Sequence, residues 1–299
     1  MAKPDPKPDS RITPYKDDFA ASYLKDVVEA KNYGDAIRHQ VMMPVIPLHK
    51  APAAASMMDT QLILGAEFDI YDIHNGWAWG QEVQEDSSKH SSGRSGGYVG
   101  YVPNMALART PEAPTHFISA VRAPVFIKPD LKTAIRTTLP LNAKVSVEGS
   151  EGDYLKIPDM GYVHRNHITA IKQASDNLGG DFVCAAELHL GLPYVWGGIS
   201  PDGVDCSGLV QTSLRAVGQD APRDADMQEA ALGDLVAKDT ELKRGDLIFW
   251  KGHVGILRDA NTLLHANAHH MLVTSEPLSE AITRIEKTTG AVTSIKRLK

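Results

Sequence analysis

The sequence predicts an α+β protein of more than one domain, and three observations lead there. Short apolar runs broken by Gly, Pro and other turn residues fill the stretch from Gln40 to Ala170, the pattern of small antiparallel β units. Beyond residue 176 the order is helix, Gly-rich loop, second helix and then a run of strands, the order of an α+β domain. The chain has 299 residues, enough for two or three small domains at about 150 residues or fewer each.

Composition narrows the function classes. Hydrophobic residues make up 42% and charged residues 23%, ordinary for a soluble globular protein. Lys plus Arg number 31 and Asp plus Glu 37, so the net charge is 31 − 37 = −6. No strongly basic domain is present, which argues against nucleic acid as a partner. Cys184 and Cys206 are the two cysteines; one bridge is conceivable, but not a disulfide framework. The opening stretch MAKPDPKPDSRITPYKDD has no apolar run. It reads as neither a secretory signal nor a membrane span, so a cytoplasmic protein without a membrane partner is expected.

The elements follow in order. Residues 1–14, rich in Pro, Lys and Asp, read as a disordered or extended arm. Residues 17–31 place Phe19, Tyr23, Val27 and Ala30 at helical spacing, with Asp17 and Asp18 at the favourable N-terminal end. The arm and this short helix make up 1–39. Residues 40–112 form a first β unit, carried by VMMPVIPLH, QLILGAEFDIYDIH, GWAWGQEV and GGYVGYVP; closure into a small barrel would avoid exposed edges. The polar segment QEDSSKHSSGRSGG, from Gln84, reads as a mobile loop between two of its strands. Residues 113–173 form a second such unit, a weak repeat of the first, since each ends on Gly-Tyr-Val. Residues 174–299 form the last domain. Its first helix spans about 181–191 and is closed by Gly191 and Pro193.

Cys206 has the most telling surroundings. Val210, Leu214 and Val217 follow it at helical spacing, and Gly218 can end the helix. Asp205 stands at the N-cap position. Cys206 therefore falls in the first turn, where free N–H groups and the positive end of the dipole favour thiolate and lower the thiol from about 8.5. The glycines before it let a substrate chain approach the backbone. A lone helical cysteine is most often a small buried hydrophobe. Cys184, beside Val183 and Ala185, is read that way.

Two histidines supply the missing base. His253 begins HVGILR and His265 lies in TLLHANA. Asp259, Ala260 and Asn261 read as a three-residue hairpin loop, with Asn261 in the left-handed position. Pairing Arg258 with Thr262 then sets Gly255 opposite His265 and puts odd-numbered residues of both strands on one face. His253 and His265 become diagonal neighbours. A two-residue loop would shift the register and separate them. In the favourable register His253 can take the proton of Cys206, while His265 accepts from the other ring nitrogen. Metal binding by these three is the alternative; the absence of C-x-x-C, H-x-x-x-H or clustered carboxylates counts against it, and no metal or organic cofactor is expected. His269 and His270 read as solvated turn residues. Spacing alone reads Tyr194 as packing beside Trp196.

Taken in order, PYVWGG, DCSGLVQ, PRDADMQ, GDLIFW, HVGIL and LLHANA resemble the NlpC/p60 family of bacterial cell-wall peptidases over about residues 178–275. The resemblance implies a papain-like catalytic domain with Cys206 as nucleophile, His253 as base and His265 as the orienting third residue. It also implies Tyr194 as support for the tetrahedral intermediate. The two β units, over about 40–172, resemble bacterial SH3-like domains. Two such units ahead of the catalytic domain are similar to the γ-D-glutamyl-L-diamino acid endopeptidases of cell-wall peptide recycling. That implies a cysteine peptidase cutting after D-Glu in peptidoglycan-derived peptides with a free N-terminal L-Ala. It further implies Asp205 and Ser207 at the substrate amine and backbone, with Tyr98 and Glu67 of the first SH3-like unit completing the pocket. Glu67 and Tyr98 read equally as ordinary strand residues. Arg223 can meet a substrate carboxylate or pair at the surface with Asp224 or Asp226. Ala225 stands where many relatives have Ser. A different reading keeps the same Cys-His site for another amide hydrolysis or acyl transfer, with the SH3-like units binding wall.

Overall fold

Alternate side chains along the strands Val45–His49, Glu67–His74 and Val99–Pro103 are buried, among them Ile46, Leu48, Phe68, Ile70 and Val102, as a period of two requires. The structure is a computed structural model. It describes residues 8–84, 96–109 and 113–298 and divides into two compact units, 1–112 and 113–299. In the first unit seven strands form one antiparallel sheet. Their order is Leu107–Ala108, Ile37–Val41, Glu67–His74, Trp77–Glu82, Val99–Pro103, Val45–His49 and Met58–Ile63.

The helix expected over 17–31 does not form. Phe19–Ala21 is a strand, antiparallel to Tyr15–Lys16 and parallel to Asn32–Gly34, and only a short 3-10 turn, Ser22–Leu24, follows it. Tertiary packing overrides the helical spacing. Tyr23 and Val27, which that spacing would bury, are exposed, while the consecutive Ala20 and Ala21 are buried. Phe19 meets the ring of Trp79 edge-on. Residues 8–14, expected to be loose, are fastened: Val99 N–H donates to Arg11 O, Gln81 Nε2 to Ile12 O, and the Tyr15 hydroxyl to Pro8 O. Residues 1–7 and most of the predicted polar loop after Gln84 lie outside the described residues.

The second unit opens with two antiparallel sheets. One orders Lys144–Val145, His116–Ile118 and Ile168–Ala170; the other orders Ile135–Pro140, Arg122–Phe126, Gly161–His164, Tyr154–Ile157 and Gly149–Glu151. Helices α1 (Phe182–Glu187), α2 (Cys206–Arg215) and α3 (Ala225–Ala231) follow. An antiparallel sheet comes next, with order Asp234–Leu235, Ser294–Arg297, Leu247–Trp250, His253–Asp259, Thr262–Asn267 and Leu272–Pro277. A helix not anticipated from the sequence, α4 (Leu278–Glu286), follows its last edge strand. The sheet is covered on both faces. Leu209, Val210 and Leu214 of α2 pack with Leu247, Phe249, Val254, Ile256, Leu264 and Ala266. Leu278, Ala281 and Ile285 of α4 pack with Ile248, Trp250, Leu257 and Leu263. No helix among the described residues is long and apolar enough to cross a membrane.

The β region 113–170 is joined to α2 through Asn142. This residue is buried at φ +68°, and its Nδ2 donates to Thr212 O at 2.9 Å. Beside it, Leu141 packs with Ala185 and Ala216. Asn tolerates the left-handed conformation better than Ala. Asn142→Ala is therefore expected to cost about 2 kcal/mol in urea unfolding, roughly half from backbone strain and half from the lost hydrogen bond. Asn142→Gly should recover the strain portion. Unchanged stability in both variants would show that this junction does not hold α2.

Candidate active site

Cys206 is set by the loop before it. Asp205 caps α2 in extended conformation, and its Oδ1 accepts from Gly208 N–H at 2.7 Å. Its Oδ2 accepts from Gly197 N–H at 2.8 Å, which draws the glycine loop onto the helix start. A Cβ on Gly208 would lie 2.3 Å from Gly198 O, so a side chain there would push the loop away. Arg223 donates to both oxygens of Asp205, at 2.9 and 2.6 Å, and to Ser207 Oγ at 3.0 Å. Ser207 Oγ in turn donates to Asp205 Oδ1. All three side chains are buried.

This geometry corrects two expectations. Arg223 is neither a solvated surface partner nor a free cation awaiting a carboxylate; its guanidinium is turned inward onto Asp205. Nor does Asp205 offer an unpaired negative charge to a substrate ammonium. Its Arg partner neutralises it and backbone donors saturate it. Its role in the structure is to hold the first turn of α2.

The expected thiolate is also corrected. Burial, then the Asp205 carboxylate, push the Cys206 thiol up to about 12, against the opposing pull of the Val254 and Ser207 amides and of Arg223. Desolvation outweighs the helix terminus. Cys184 is half-buried, caught between Asp181 and Arg244. Tyr194 donates its N–H to Met271 O and packs on the apolar cluster that contains Cys206, rather than depending on Trp196, which is exposed. Burial, then the neighbouring Cys206 and Asp205, push its phenol well above the ordinary range.

His253 and His265 meet at 2.8 Å, Nε2 to Nδ1. The route to this differs from the expected hairpin. Asp259 pairs with Thr262, so the loop is the two residues Ala260 and Asn261, and Asn261 is not left-handed. That alone would have shifted the register. A bulge between Leu257 and Asp259 adds the residue back, and Leu257↔Leu263 and Ile256↔Leu264 keep the pairing the histidines need. His253 and His265 share the sheet face of Leu257 and Leu263, the face covered by α4. Gly255 stands between them. A Cβ there would strike Leu263 at 2.6 Å and crowd His265 Cβ at 3.3 Å. The amide of Val254, next to His253, faces the Cys206 sulfur.

Beyond His265 lie two residues the sequence reading did not single out. His265 Nε2 is 2.7 Å from Glu276 Oε1, and Arg284 binds both Glu276 oxygens. His265 pairs with Thr274 across the ladder, which makes Glu276 its diagonal neighbour on the same face. Burial works to raise the Glu276 carboxyl, but hydrogen bonds from His265 and Arg284 outweigh it and hold the group at about 2. Burial lowers His265 despite Glu276, and burial, then His265 and Arg284, press His253 down to about 3. The spacing of Leu278, Ala281, Ile282 and Ile285 was a legible signal for the helix carrying Arg284. Glu276 had no such signal, since its place depends on the pairing of two strands. Glu67 and Tyr98 belong to the first unit. There Glu67 pairs with Arg38 near the surface, and Tyr98 is buried.

Residues 191–290 match the NlpC/P60 family, and residues 48–87 match the bacterial dipeptidyl-peptidase SH3 domain. The gamma-D-glutamyl-L-lysine dipeptidyl-peptidase of Bacillus subtilis (strain 168) is 28% identical over 228 residues, covering 71% of this chain and 73% of that protein. The gamma-DL-glutamyl hydrolase of the same organism is 36% identical over 130 residues, covering 40% of this chain and 31% of that protein. A crystal structure of an NlpC/P60 family protein from Bacillus cereus ATCC 10987 has the same fold, with TM-score 0.72 over 87% of this chain and 99% of that one, at 20% identity.

The histidine geometry leads to mutational and pH expectations. His253→Ala should lose about 10²–10⁴ of turnover, as expected for an essential general base. His265→Ala should lose at least roughly tenfold, and His265→Asn less, because its amide oxygen can still accept. A base acts in its neutral form, and a lowered value means that protonation removes it only at lower pH. The kcat/KM profile should therefore stay level through pH 6.5, the ordinary imidazole value, and fall only well below it. An acid limb centred at or above 6.5 would contradict a half-buried His253 held neutral by its surroundings.

Proposed function

The chain is an NlpC/P60 cysteine peptidase, and we propose that it cuts murein-derived peptides between γ-D-glutamate and the next L-diamino acid, releasing the N-terminal dipeptide. The observation that carries this reading is the likeness to the B. subtilis dipeptidyl-peptidase, which runs through most of both chains rather than the catalytic domain alone. A γ-glutamyl bond also appears in the name of the second relative. The arrangement belonging to this reading is four-part: an N-terminal segment (1–39), two SH3-like domains (40–112 and 113–173) and a papain-like catalytic domain (174–299). Its setting is the cytoplasm, on free peptides.

The chemistry follows from the side chains. His253 Nε2 is engaged by His265, which leaves Nδ1 as the basic nitrogen. Nδ1 takes the Cys206 proton as Sγ attacks the γ-carbonyl carbon of D-Glu. The C=O electron pair moves to oxygen, and the Tyr194 hydroxyl donates to that oxyanion. The intermediate collapses, the C–N bond breaks, and imidazolium returns the proton to the leaving amine. Water, deprotonated by His253, then cleaves the thioester and restores the thiol.

A free N-terminus is part of this proposal, because removing a dipeptide measures the cut from the chain end. Glu67 and Tyr98 are proposed to serve it. Mass spectrometry should find L-Ala-γ-D-Glu and free lysine from L-Ala-γ-D-Glu-L-Lys, and nothing from the Cys206→Ala variant. Acetylating the Ala nitrogen should slow cleavage at least roughly tenfold, the worth of one charge-assisted hydrogen bond of about 1.5–3 kcal/mol. Equal cleavage of the acetylated peptide, or digestion of intact cross-linked wall as fast as the tripeptide, would overturn the reading.

A further inference from the structure

We infer that Glu276, gripped at both oxygens by Arg284, is a positioning residue that decides which nitrogen carries the proton in both His265 and His253. The inference rests on the reading of His253 as the base and deepens it. Glu276 lies in the edge strand Leu272–Pro277 and Arg284 in α4, so the pair is brought to the histidines by elements outside the Cys and His motifs.

The argument is one of donors and acceptors. An ionised carboxylate only accepts. With Oε1 at 2.7 Å, His265 Nε2 must therefore carry a hydrogen and donate it. Neutral imidazole has one N–H, so His265 Nδ1 is a lone pair. That lone pair is 2.8 Å from His253 Nε2, so His253 Nε2 carries the hydrogen and donates. His253 Nδ1 is then left unprotonated, as a base must be. Each step allows one choice, and the first is made by Glu276. Arg284 keeps the carboxylate ionised and aimed, and the middle of the chain is buried: His265 is fully buried and Glu276 only 9% exposed. Water is thus a poor substitute for the carboxylate.

The reverse arrangement shows what is at stake. A donor at position 276 would push the hydrogen of His265 onto Nδ1. His253 Nε2 would then have to accept, and its own hydrogen would move to Nδ1, where it disables the base. Glu276→Gln is nearly isosteric and permits both chains, because an amide can accept or donate.

The test uses the full-length protein. Long-range ¹H–¹⁵N spectra of the imidazoles should show the Nε2–H tautomer for both His253 and His265. Glu276→Gln should add the Nδ1–H form of both rings and lower kcat at least roughly tenfold with KM little changed, since the loss falls on the base and not on binding. A second readout uses Arg284. The charged and titratable groups around His265 are His253, His270, Glu276 and Arg284, with Glu280 acting on Arg284. Removing the Arg284 cation in Arg284→Met makes protonated His265 easier to form. Protonated His265 cannot accept from His253, so the acid limb of kcat should move to higher pH, and Arg284→Lys should move it back. A merely structural Glu276 would shift the melting temperature and leave tautomers and acid limb where they were. That result, or an Nδ1–H His265 in the parent, overturns the inference. The spectra need no substrate, so they remain decisive even where the proposed peptide is not cut.

Discussion

The register between the strands His253–Asp259 and Thr262–Asn267 is the constraint on which the site depends. Strand side chains alternate, so a slip of one residue would carry His265 to the α2 face and away from His253. The tight two-residue turn at Ala260 and Asn261 would by itself impose that slip. The bulge at Arg258 cancels it, and it does so at the hairpin end, leaving the ladder through Ile256 and Leu257 regular. Gly255 completes the device, since its lack of a side chain lets two rings on different strands reach each other. Glu276 inherits its place from the same ladder, one strand further out.

The second constraint is dielectric. The start of α2 offers a dipole worth typically 0.3–1 kcal/mol, up to about 2 when partly buried. Asp205 already takes the Gly208 N–H at that helix start, and its charge counters the dipole near the sulfur. Burial therefore outweighs the dipole at Cys206 and pushes its thiol up. The same burial keeps His253 neutral.

What was legible in the sequence follows from how local each feature is. The β units, the Cys206 helix, its Asp205 cap and the strands carrying His253 and His265 are set by patterns within a few residues, and the structure has them. The expected helix at 17–31 does not form because its spacing competes with strand pairing to Asn32–Gly34 and packing on Trp79, both of which lie outside that segment. The hairpin register was right through a turn that was wrong, because a bulge has no periodic signature. Arg223 departs from expectation for a similar reason. Neighbouring Asp224 and Asp226 suggested a surface pair, while its partner Asp205 is eighteen residues away in sequence.

The Asp205–Arg223 and Glu67–Arg38 ion pairs, each within its own unit, differ in burial and hence in strength. Asp205 and Arg223 are both buried. Separating them would strand two charges in a dry site, at a cost of about 3–5 kcal/mol for a broken buried pair. Asp205 is thus a fixture of the start of the helix that carries Cys206. Glu67 and Arg38 are each about two-fifths exposed, and pairs of that kind are worth roughly 0–1 kcal/mol. The Glu67–Arg38 pair can therefore open at little cost, whereas the Asp205–Arg223 pair cannot. Asp205 contributes by holding Gly197 and Gly208 in place, so that the loop beside Cys206 keeps its shape.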